Sequence, residues 1–258
     1  MKAGMIGLGA MGLGMSRNLA KAGYLTAVYN RTAAKMAEFN VAAFDLPEAM
    51  AAEVDVVLIC VSADRDVLDI VDAIAKTIKP GSIVVDMSTV SSETAKKAAV
   101  ILAEKRVAFL DAPVSGGVEG AKNGTLAMMV GGDADALEKA RPVLEAMTAR
   151  IIHIGATGSG QATKAVNQIM CAGINQAVTE ALAFAEAQGL AMDKVIDVIS
   201  GGASGNWFLQ HRGSTMTKGT FAPGFKLALH HKGFKNLSGD GRSNRFFNSF
   251  SRWNCSRL

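Results

Sequence analysis

The sequence has few residues that could form covalent or metal-bound crosslinks. Only three of its 258 residues are cysteines, Cys60, Cys171 and Cys255, and no Cys-x-x-Cys pair occurs. This wide spacing indicates neither a disulfide framework nor a zinc site. We therefore expect a reducing, cytoplasmic location and no metal.

Long apolar runs are also lacking. No uncharged stretch reaches the roughly 18 to 20 apolar residues that a membrane helix needs. The apolar N-terminal run, residues 1–15, is interrupted by glycines, and Ser16, Arg17 and Asn18 follow it without a small-residue cleavage site. We interpret it as folded protein rather than as a signal peptide, and we expect no membrane partner.

Residues 1–232 carry no formal net charge. The formal charge of +4 and the pI near 9.0 suit a nucleic-acid-binding protein. However, five of the 27 basic residues and one of the 23 acidic residues lie from Gly233 onward, which leaves 22 of each upstream. Only the tail is basic, so we expect no nucleic-acid partner for the body of the protein.

Short apolar runs alternate with amphipathic runs over residues 1–159, which is typical of strands and crossover helices in a parallel sheet. From Gly160 the strand patterns cease, and residues 161–188 form one long helical pattern. We predict a Rossmann-type, doubly wound, mainly parallel α/β domain over residues 1–159, then an all-α domain over residues 160–232 that begins with a long interdomain helix. The candidate strands are residues 3–7, 25–30, 54–60, 82–87, 107–114, 125–132 and 150–155.

A glycine-rich turn follows the first predicted strand. Gly7, Gly9 and Gly12 form the pattern G-x-G-x-x-G at the start of a helix. In a dinucleotide site the first glycine permits the tight turn, the second lets the backbone approach the pyrophosphate, and the third lets the helix pack closely on the strand. The alternative is a glycine-rich loop without a ligand. We predict a dinucleotide site formed by Gly7, Leu8, Gly9, Ala10, Met11 and Gly12.

The end of the second strand indicates the type of dinucleotide. An NAD site usually has Asp or Glu here to bind the ribose 2′-hydroxyl. This chain instead has uncharged Asn30, then Arg31, which can pair with a 2′-phosphate, and Thr32. We predict NADP as the preferred cofactor, with NAD possible. A solvated Arg31 at the start of a helix is the alternative.

Three separated stretches, residues 4–24, 111–117 and 155–168, together resemble the β-hydroxyacid dehydrogenase family. The resemblance covers residues 1 to about 232. It implies hydride transfer between a nicotinamide cofactor and a small β-hydroxyacid or its semialdehyde, a carboxylate-bearing substrate, and a homodimer or homotetramer formed through the helical domain. Two related groups are disfavoured by the sequence. Imine reductases share this architecture but generally lack the lysine at the position of Lys164, and 6-phosphogluconate dehydrogenase has a much longer helical domain than this chain.

Ser115, Gly116 and Gly117 follow a strand end. Small residues there can expose backbone N–H groups as a nest for an anion, and the Ser115 hydroxyl adds a donor. The alternative is an ordinary tight turn. The resemblance assigns this segment to the substrate carboxylate.

Lys164 lies near the start of the long helix, with Asn167 and Gln168 one turn later on the same face. A lone lysine on a helix is usually solvated. The resemblance makes Lys164 the general acid and base, and it makes Asn167 or Gln168 a substrate contact, because the family usually has Asn where this chain has Gln168. It also places Val61, Ser62 and Thr89 on the nicotinamide side and Lys232 beside the cofactor.

The tail, residues 233–258, contains no Ala, Val, Ile or Met. After Lys232 it has Gly233 and Phe234 where the resembling family has Asp-Leu, a change that one inserted nucleotide produces. We hypothesise a frameshift and an incomplete helical domain, which resequencing of the gene would test. An alternative function is a non-catalytic dinucleotide-binding scaffold whose basic tail binds nucleic acid or membrane, because three aromatic residues of the tail have helical spacing.

Overall fold

The structure is a computed structural model, and it describes residues 1–220. Its strands are β1 Ala3–Ile6, β2 Leu25–Tyr29, β3 Ala42–Ala43, β4 Val56–Ile59, β5 Ile83–Asp86, β6 Ala108–Asp111, β7 Val114–Ser115, β8 Leu126–Gly132 and β9 Thr148–Gly155. Its α-helices are α1 Ala10–Lys21, α2 Pro47–Ala51, α3 Asp64–Ile74, α4 Ser92–Ala103, α5 Gly117–Asn123, α6 Ala134–Leu144, α7 Ser159–Ala187, α8 Met192–Ser200 and α9 Trp207–Thr217, and a 3₁₀ helix spans Ala33–Glu38. The described residues divide into two compact units, one comprising Met1–Ala165 and the other beginning at Val166.

The first unit is built on one sheet. Strands β3, β2, β1, β4, β5 and β6 lie side by side in that order, and all their pairings are parallel. Strand β8 joins β6 in the antiparallel direction and also pairs with β7 and β9. The strand order reverses at β1, because the chain goes from β1 to β2 and later returns to place β4 on the other side. In such sheets ligands bind at the carboxyl ends of the strands flanking this reversal.

Both faces of the sheet are buried. Successive residues of a strand point to opposite faces, and Met5 packs in one apolar cluster while Ile6 packs in the other. Val84 and Val85 divide between the two clusters in the same way. Helices therefore cover both faces, which explains why the strands are nearly continuously apolar in sequence.

The second unit is helical in its described part. Helix α7 is 29 residues long, or roughly 44 Å. Val178 and Leu182 of α7 and Leu209 of α9 form a small buried apolar cluster, and Ile196 and Ile199 of α8 pack against it. No helix among residues 1–220 is long and apolar enough to cross a membrane.

The predicted fold class is confirmed, and the helical domain does begin with a long helix. One predicted strand, residues 107–114, is in fact two, because the chain leaves β6 after Asp111 and pairs again only at Val114. The sequence patterns gave no sign of β3. The predictions about Lys232, the tail at residues 233–258 and an incomplete helical domain lie outside the described residues.

Candidate active site and cofactor turn

The glycine turn has the shape of a pyrophosphate cradle. Gly7 has φ +98°, and a Cβ atom there would overlap the carbonyl group of Cys60. A Cβ at Gly12 would overlap the Gly7 carbonyl oxygen, so α1 can pack this closely only with glycine. At Gly9, which precedes the first residue of α1, a Cβ would meet nothing within 4 Å. Open backbone at a helix N-terminus fits an anionic pyrophosphate.

Hydrogen bonds hold this turn to the end of β2. The Gly7 N–H donates to the Tyr29 carbonyl oxygen at 3.0 Å, and the Leu8 N–H donates to Asn30 Oδ1 at 2.8 Å. Asn30 Nδ2 in turn donates to the Thr32 carbonyl oxygen at 2.9 Å. The Asn30 amide therefore ties the glycine turn to the segment after β2. Of the remaining turn residues, Ala10 is exposed and Met11 half-buried in the first turn of α1.

Arg31 extends into solvent beyond the end of β2. Its side chain is 87% exposed, and its Nη1 lies 3.6 Å from Asp66 Oδ1 at the start of α3. A surface ion pair of this kind is worth about 0 to 1 kcal/mol. Pairing with Asp66 therefore leaves the guanidinium able to rearrange towards a phosphate.

The segments after β4 and β5 are joined at the same edge of the sheet. The Val61 N–H donates to Ser88 Oγ at 2.9 Å. Val61 and Thr89 are half-buried and Ser62 is exposed. These three residues thus lie after the carboxyl ends of two adjacent strands, at the edge of the sheet that carries the glycine turn.

Gln161, in the first turn of α7, clamps the segment that contains Thr89. Its side chain is buried. Gln161 Nε2 donates to the Ser88 carbonyl oxygen at 2.8 Å, and Gln161 Oε1 accepts from the Val90 N–H at 3.2 Å. The amide thereby binds the backbone on both sides of Thr89.

Asp111, the last residue of β6, binds the N-terminus of α7. Its Oδ1 accepts from the Gly158 N–H at 2.7 Å and its Oδ2 from the Gln161 N–H at 2.9 Å. Burial raises the pKa of Asp111, and the backbone N–H donors oppose that shift. Two of the otherwise unpaired N–H groups at the helix start are satisfied in this way.

Lys164 lies one turn further along α7 and reaches the segment after β6. Its Nζ donates to the Val114 carbonyl oxygen at 2.8 Å, directly before Ser115. Gly116 has φ +132° and Gly117 has φ +63°, and Gly117 opens α5. The structure therefore brings the lysine next to the serine-glycine-glycine segment.

A second buried carboxylate, Asp86, lies at the end of β5. Its Oδ1 accepts from the Ser88 N–H at 3.0 Å, whereas its Oδ2 has no hydrogen-bond partner among the described residues. Burial raises the pKa of Asp86 to about 6. Burial and the nearby Asp86 charge raise the pKa of the Cys60 thiol to about 12, so Cys60 stays neutral.

Asn167 and Gln168 follow Lys164 on α7 and belong to the second unit. Gln168 is buried and Asn167 half-buried. Asn167 Nδ2 lies 3.4 Å from Gln168 Oε1 and 3.7 Å from Cys171 Sγ.

Within residues 1–220, no cluster of His, Cys, Asp and Glu could hold a metal ion.

Sequence reasoning did not single out Gln161 or Asp111, although both lie inside the stretches that carry the resemblance. The available signals were weak. Asp111 is a carboxylate that ends an apolar run, and Gln161 lies three residues before Lys164, hence on nearly the same helix face.

Comparison with known proteins identifies the family of this chain. Residues 2–155 match the family model for the NAD-binding domain of 6-phosphogluconate dehydrogenase, and residues 158–243 match that for the NAD-binding region of NADP-dependent 3-hydroxyisobutyrate dehydrogenase. The chain belongs to the β-hydroxyacid dehydrogenase family.

Individual members of this family show the same relationship. An uncharacterised oxidoreductase of Synechocystis is 40% identical over 88% of this chain and 81% of its own. The 2-hydroxy-3-oxopropionate reductase of Escherichia coli is 37% identical over 90% of this chain and 81% of its own. The solved structure of Mycobacterium tuberculosis 3-hydroxyisobutyrate dehydrogenase with L-serine has a TM-score of 0.85 at 33% identity, covering 97% of this chain and 94% of that one. The chain is thus an NAD(P)-dependent dehydrogenase of hydroxyacids.

Proposed function

We propose that the chain interconverts a small β-hydroxyacid and its semialdehyde, with NADP as the preferred cofactor and Lys164 as the general acid and base. The observation that supports this most directly is the Lys164 Nζ, held 2.8 Å from the Val114 carbonyl oxygen beside the serine-glycine-glycine segment. A lysine ammonium and a set of small residues next to each other suit a substrate that has both a carbonyl group and a carboxylate.

In the direction of reduction, Lys164 donates a proton from Nζ to the substrate carbonyl oxygen. The nicotinamide, when bound, supplies the hydride. In the direction of oxidation, neutral Lys164 accepts the hydroxyl proton at Nζ. Proton transfer by a positioned side chain typically contributes about 10²- to 10⁴-fold to the rate. The Lys164 ammonium donates to the Val114 carbonyl oxygen, which holds it beside the serine-glycine-glycine segment.

The substrate carboxylate binds at Ser115, Gly116 and Gly117 in this proposal. Backbone N–H groups in this segment and the Ser115 hydroxyl are donors suited to an anion. Asn167 or Gln168 holds the substrate hydroxyl or carboxylate from the same helix as Lys164.

For the cofactor, the glycine turn from Gly7 to Gly12 holds the pyrophosphate. Val61, Ser62 and Thr89 line the nicotinamide side. Arg31, with Asn30 and Thr32 beside it, binds the 2′-phosphate. The absence of an acidic residue at the end of β2 favours NADP over NAD, in agreement with the description of the second matching family as NADP-dependent.

The chain is proposed to act in the cytoplasm as a homodimer or homotetramer that associates through its helical unit. Large apolar side chains of that unit, among them Phe184 and Val198, are exposed. Association would bury them.

The experiment that tests the proposed function is a panel of C3 and C4 semialdehydes with NADPH, run on the wild type and on Lys164→Ala. We expect Lys164→Ala to lower kcat by at least about 10²-fold while the Kd for NADPH, measured by fluorescence titration, changes little. Lys139→Ala, which removes a lysine from α6, is the control. Full kcat in Lys164→Ala would refute the assignment.

A further inference from the structure

Gln161 makes an unusual set of contacts for one buried side chain. Both atoms of its amide are bonded to backbone groups that are 73 and 71 residues away in sequence. Its own backbone N–H donates to Asp111 Oδ2 at 2.9 Å. A single residue in the first turn of α7 thus contacts the segments at the ends of both β5 and β6.

These contacts fix the orientation of the helix start. A primary amide that donates on one side and accepts on the other is satisfied in only one of its two flipped orientations. Buried amide groups are costly to leave unpaired, at about 1 to 3 kcal/mol each. The segment from Ser88 to Val90 and the first turn of α7 are therefore held in one mutual arrangement.

Lys164 follows Gln161 by three residues on the same helix, so its side chain lies on nearly the same face. Thr89 lies between the two residues that Gln161 binds. We propose that Gln161 is a positioning residue that sets Lys164 relative to the segment around Thr89, and hence the proton donor relative to the nicotinamide. This inference rests on the proposed function, in which Thr89 lines the nicotinamide side and Lys164 donates the proton.

Positioning has a kinetic signature that differs from that of stability. A misplacement of about 1 Å between reacting groups can cost roughly 10²-fold in rate. Loss of the Gln161 amide should therefore lower kcat strongly while it changes the KM for the semialdehyde little. A residue needed only for stability would lower the midpoint of thermal unfolding and leave the kcat of the folded enzyme unchanged.

The decisive variant is Gln161→Glu, which has the same shape. A protonated glutamic acid can donate to the Ser88 carbonyl oxygen and accept from the Val90 N–H, as Gln161 does. An ionised one cannot donate, and it would direct two acceptors at each other. Burial, Asp111 on β6, Asp86 on β5 and Asp64 on α3 disfavour the ionised form. Lys164 on α7 and Lys96 on α4 favour it.

The control is Thr163→Val, which has nearly the same shape as the wild type. The Thr163 hydroxyl donates to the Ser159 carbonyl oxygen within α7 at 2.8 Å. Its loss perturbs the same helical turn without touching residues 88–90.

We expect the ratio of the Gln161→Glu kcat to the wild-type kcat, both measured at the same pH, to be near 1 at pH 5. This ratio should fall on the order of 10- to 100-fold by pH 8. Thr163→Val should show a flat ratio near 1. Gln161→Ala should show the low ratio at every pH. If Gln161→Ala does not fold, the pH dependence of Gln161→Glu tests the proposal by itself.

A second readout does not depend on turnover. Hydrogen exchange of the Val90 amide, measured without cofactor, should accelerate at least about 10-fold in Gln161→Ala relative to wild type at the same pH, because alanine removes the acceptor Oε1, but not in Thr163→Val. A wild type inactive on the whole panel would refute the proposed function. An active wild type together with a flat Gln161→Glu ratio, or with unchanged Val90 exchange, would overturn this inference alone.

Discussion

Single residues at the carboxyl ends of the strands differ in how well their charges are compensated. Asp111 accepts N–H groups on both of its oxygens, whereas Asp86 accepts one from Ser88 and has a second oxygen without a partner in the described residues. Both are buried. Burial raises the pKa of both, and that of the poorly compensated Asp86 is about 6.

Replacing Asp86 by Asn should stabilise the protein, and increasingly so as the pH rises. The folded pKa lies above the unfolded value near 3.9, so the folded state holds its proton longer and the wild type loses stability as the pH rises from about 4 to above 6. The free energy of unfolding of Asp86→Asn should equal that of the wild type near pH 4 and exceed it by roughly 1 to 3 kcal/mol at pH 8. Urea denaturation at both values measures this, with Asp135→Asn, exposed on α6, as the control. A difference independent of pH would contradict the prediction.

The proposed preference for NADP rests on a single residue, Arg31. Arg31→Ala should raise the KM for NADPH about 10-fold or more and barely change that for NADH, since only NADPH has a 2′-phosphate for the guanidinium to bind. Steady-state kinetics with both cofactors measures the ratio. Arg150→Ala removes the same charge from β9, at the other end of the sheet, and should leave it unchanged. A wild type that clearly prefers NADH would refute the role of Arg31.

At the scale of elements, α7 depends on a carboxylate from outside itself. Helix α6 begins with its own cap, because Asp133 Oδ1 accepts the Ala136 N–H at 2.8 Å. Helix α7 instead relies on Asp111, 47 residues before Gly158. The start of the long helix is therefore defined by the sheet rather than by the local sequence.

Removing the two carboxylates should accordingly have unequal effects. Asp133→Ala should lower the free energy of unfolding by about 1 kcal/mol, the usual cost of losing an exposed cap. Asp111→Ala leaves two buried N–H groups unpaired and should cost roughly 2 to 5 kcal/mol. Chemical denaturation of both variants gives the comparison, and equal losses would show that Asp111 acts as an ordinary cap.

The distinction between contacts local in sequence and contacts distant in sequence also explains what could be predicted from the sequence. Periodicity and the pattern from Gly7 to Gly12 depend on near neighbours, so the parallel sheet, the glycine turn and the long helix were all predictable. The contacts of Gln161 with Ser88 and Val90 depend on how distant strands are arranged, which no local pattern encodes. Strand β3 was missed because two residues are too few to show a period.

At the scale of the whole molecule, several large apolar side chains of the described residues are exposed to solvent. Phe184 is 67% exposed and Val198 is 72% exposed, both in the second unit. Val100, on α4 of the first unit, is 64% exposed. Exposed apolar side chains therefore occur in both units, and exposure alone does not show which unit forms the contact between subunits. A charged residue introduced into each unit in turn can test this.

We expect the wild type to be a dimer or tetramer by light scattering after size-exclusion chromatography. Phe184→Glu combined with Val198→Glu should shift it towards the monomer, because a charge buried at an apolar interface without a partner is costly. Val100→Glu should leave the mass unchanged. A monomeric wild type, or dissociation by Val100→Glu alone, would contradict association through the helical unit.

The long-range hydrogen bonds at the start of α7 also bear on the order of folding. Their partners are separated by 47 to 73 residues, and contacts of high sequence separation form slowly because a long loop must close first. Strands β5 and β6 emerge from the ribosome well before residue 158. The helix bearing Lys164 should therefore dock onto an existing sheet, so Lys164 reaches its place late in the folding of the first unit.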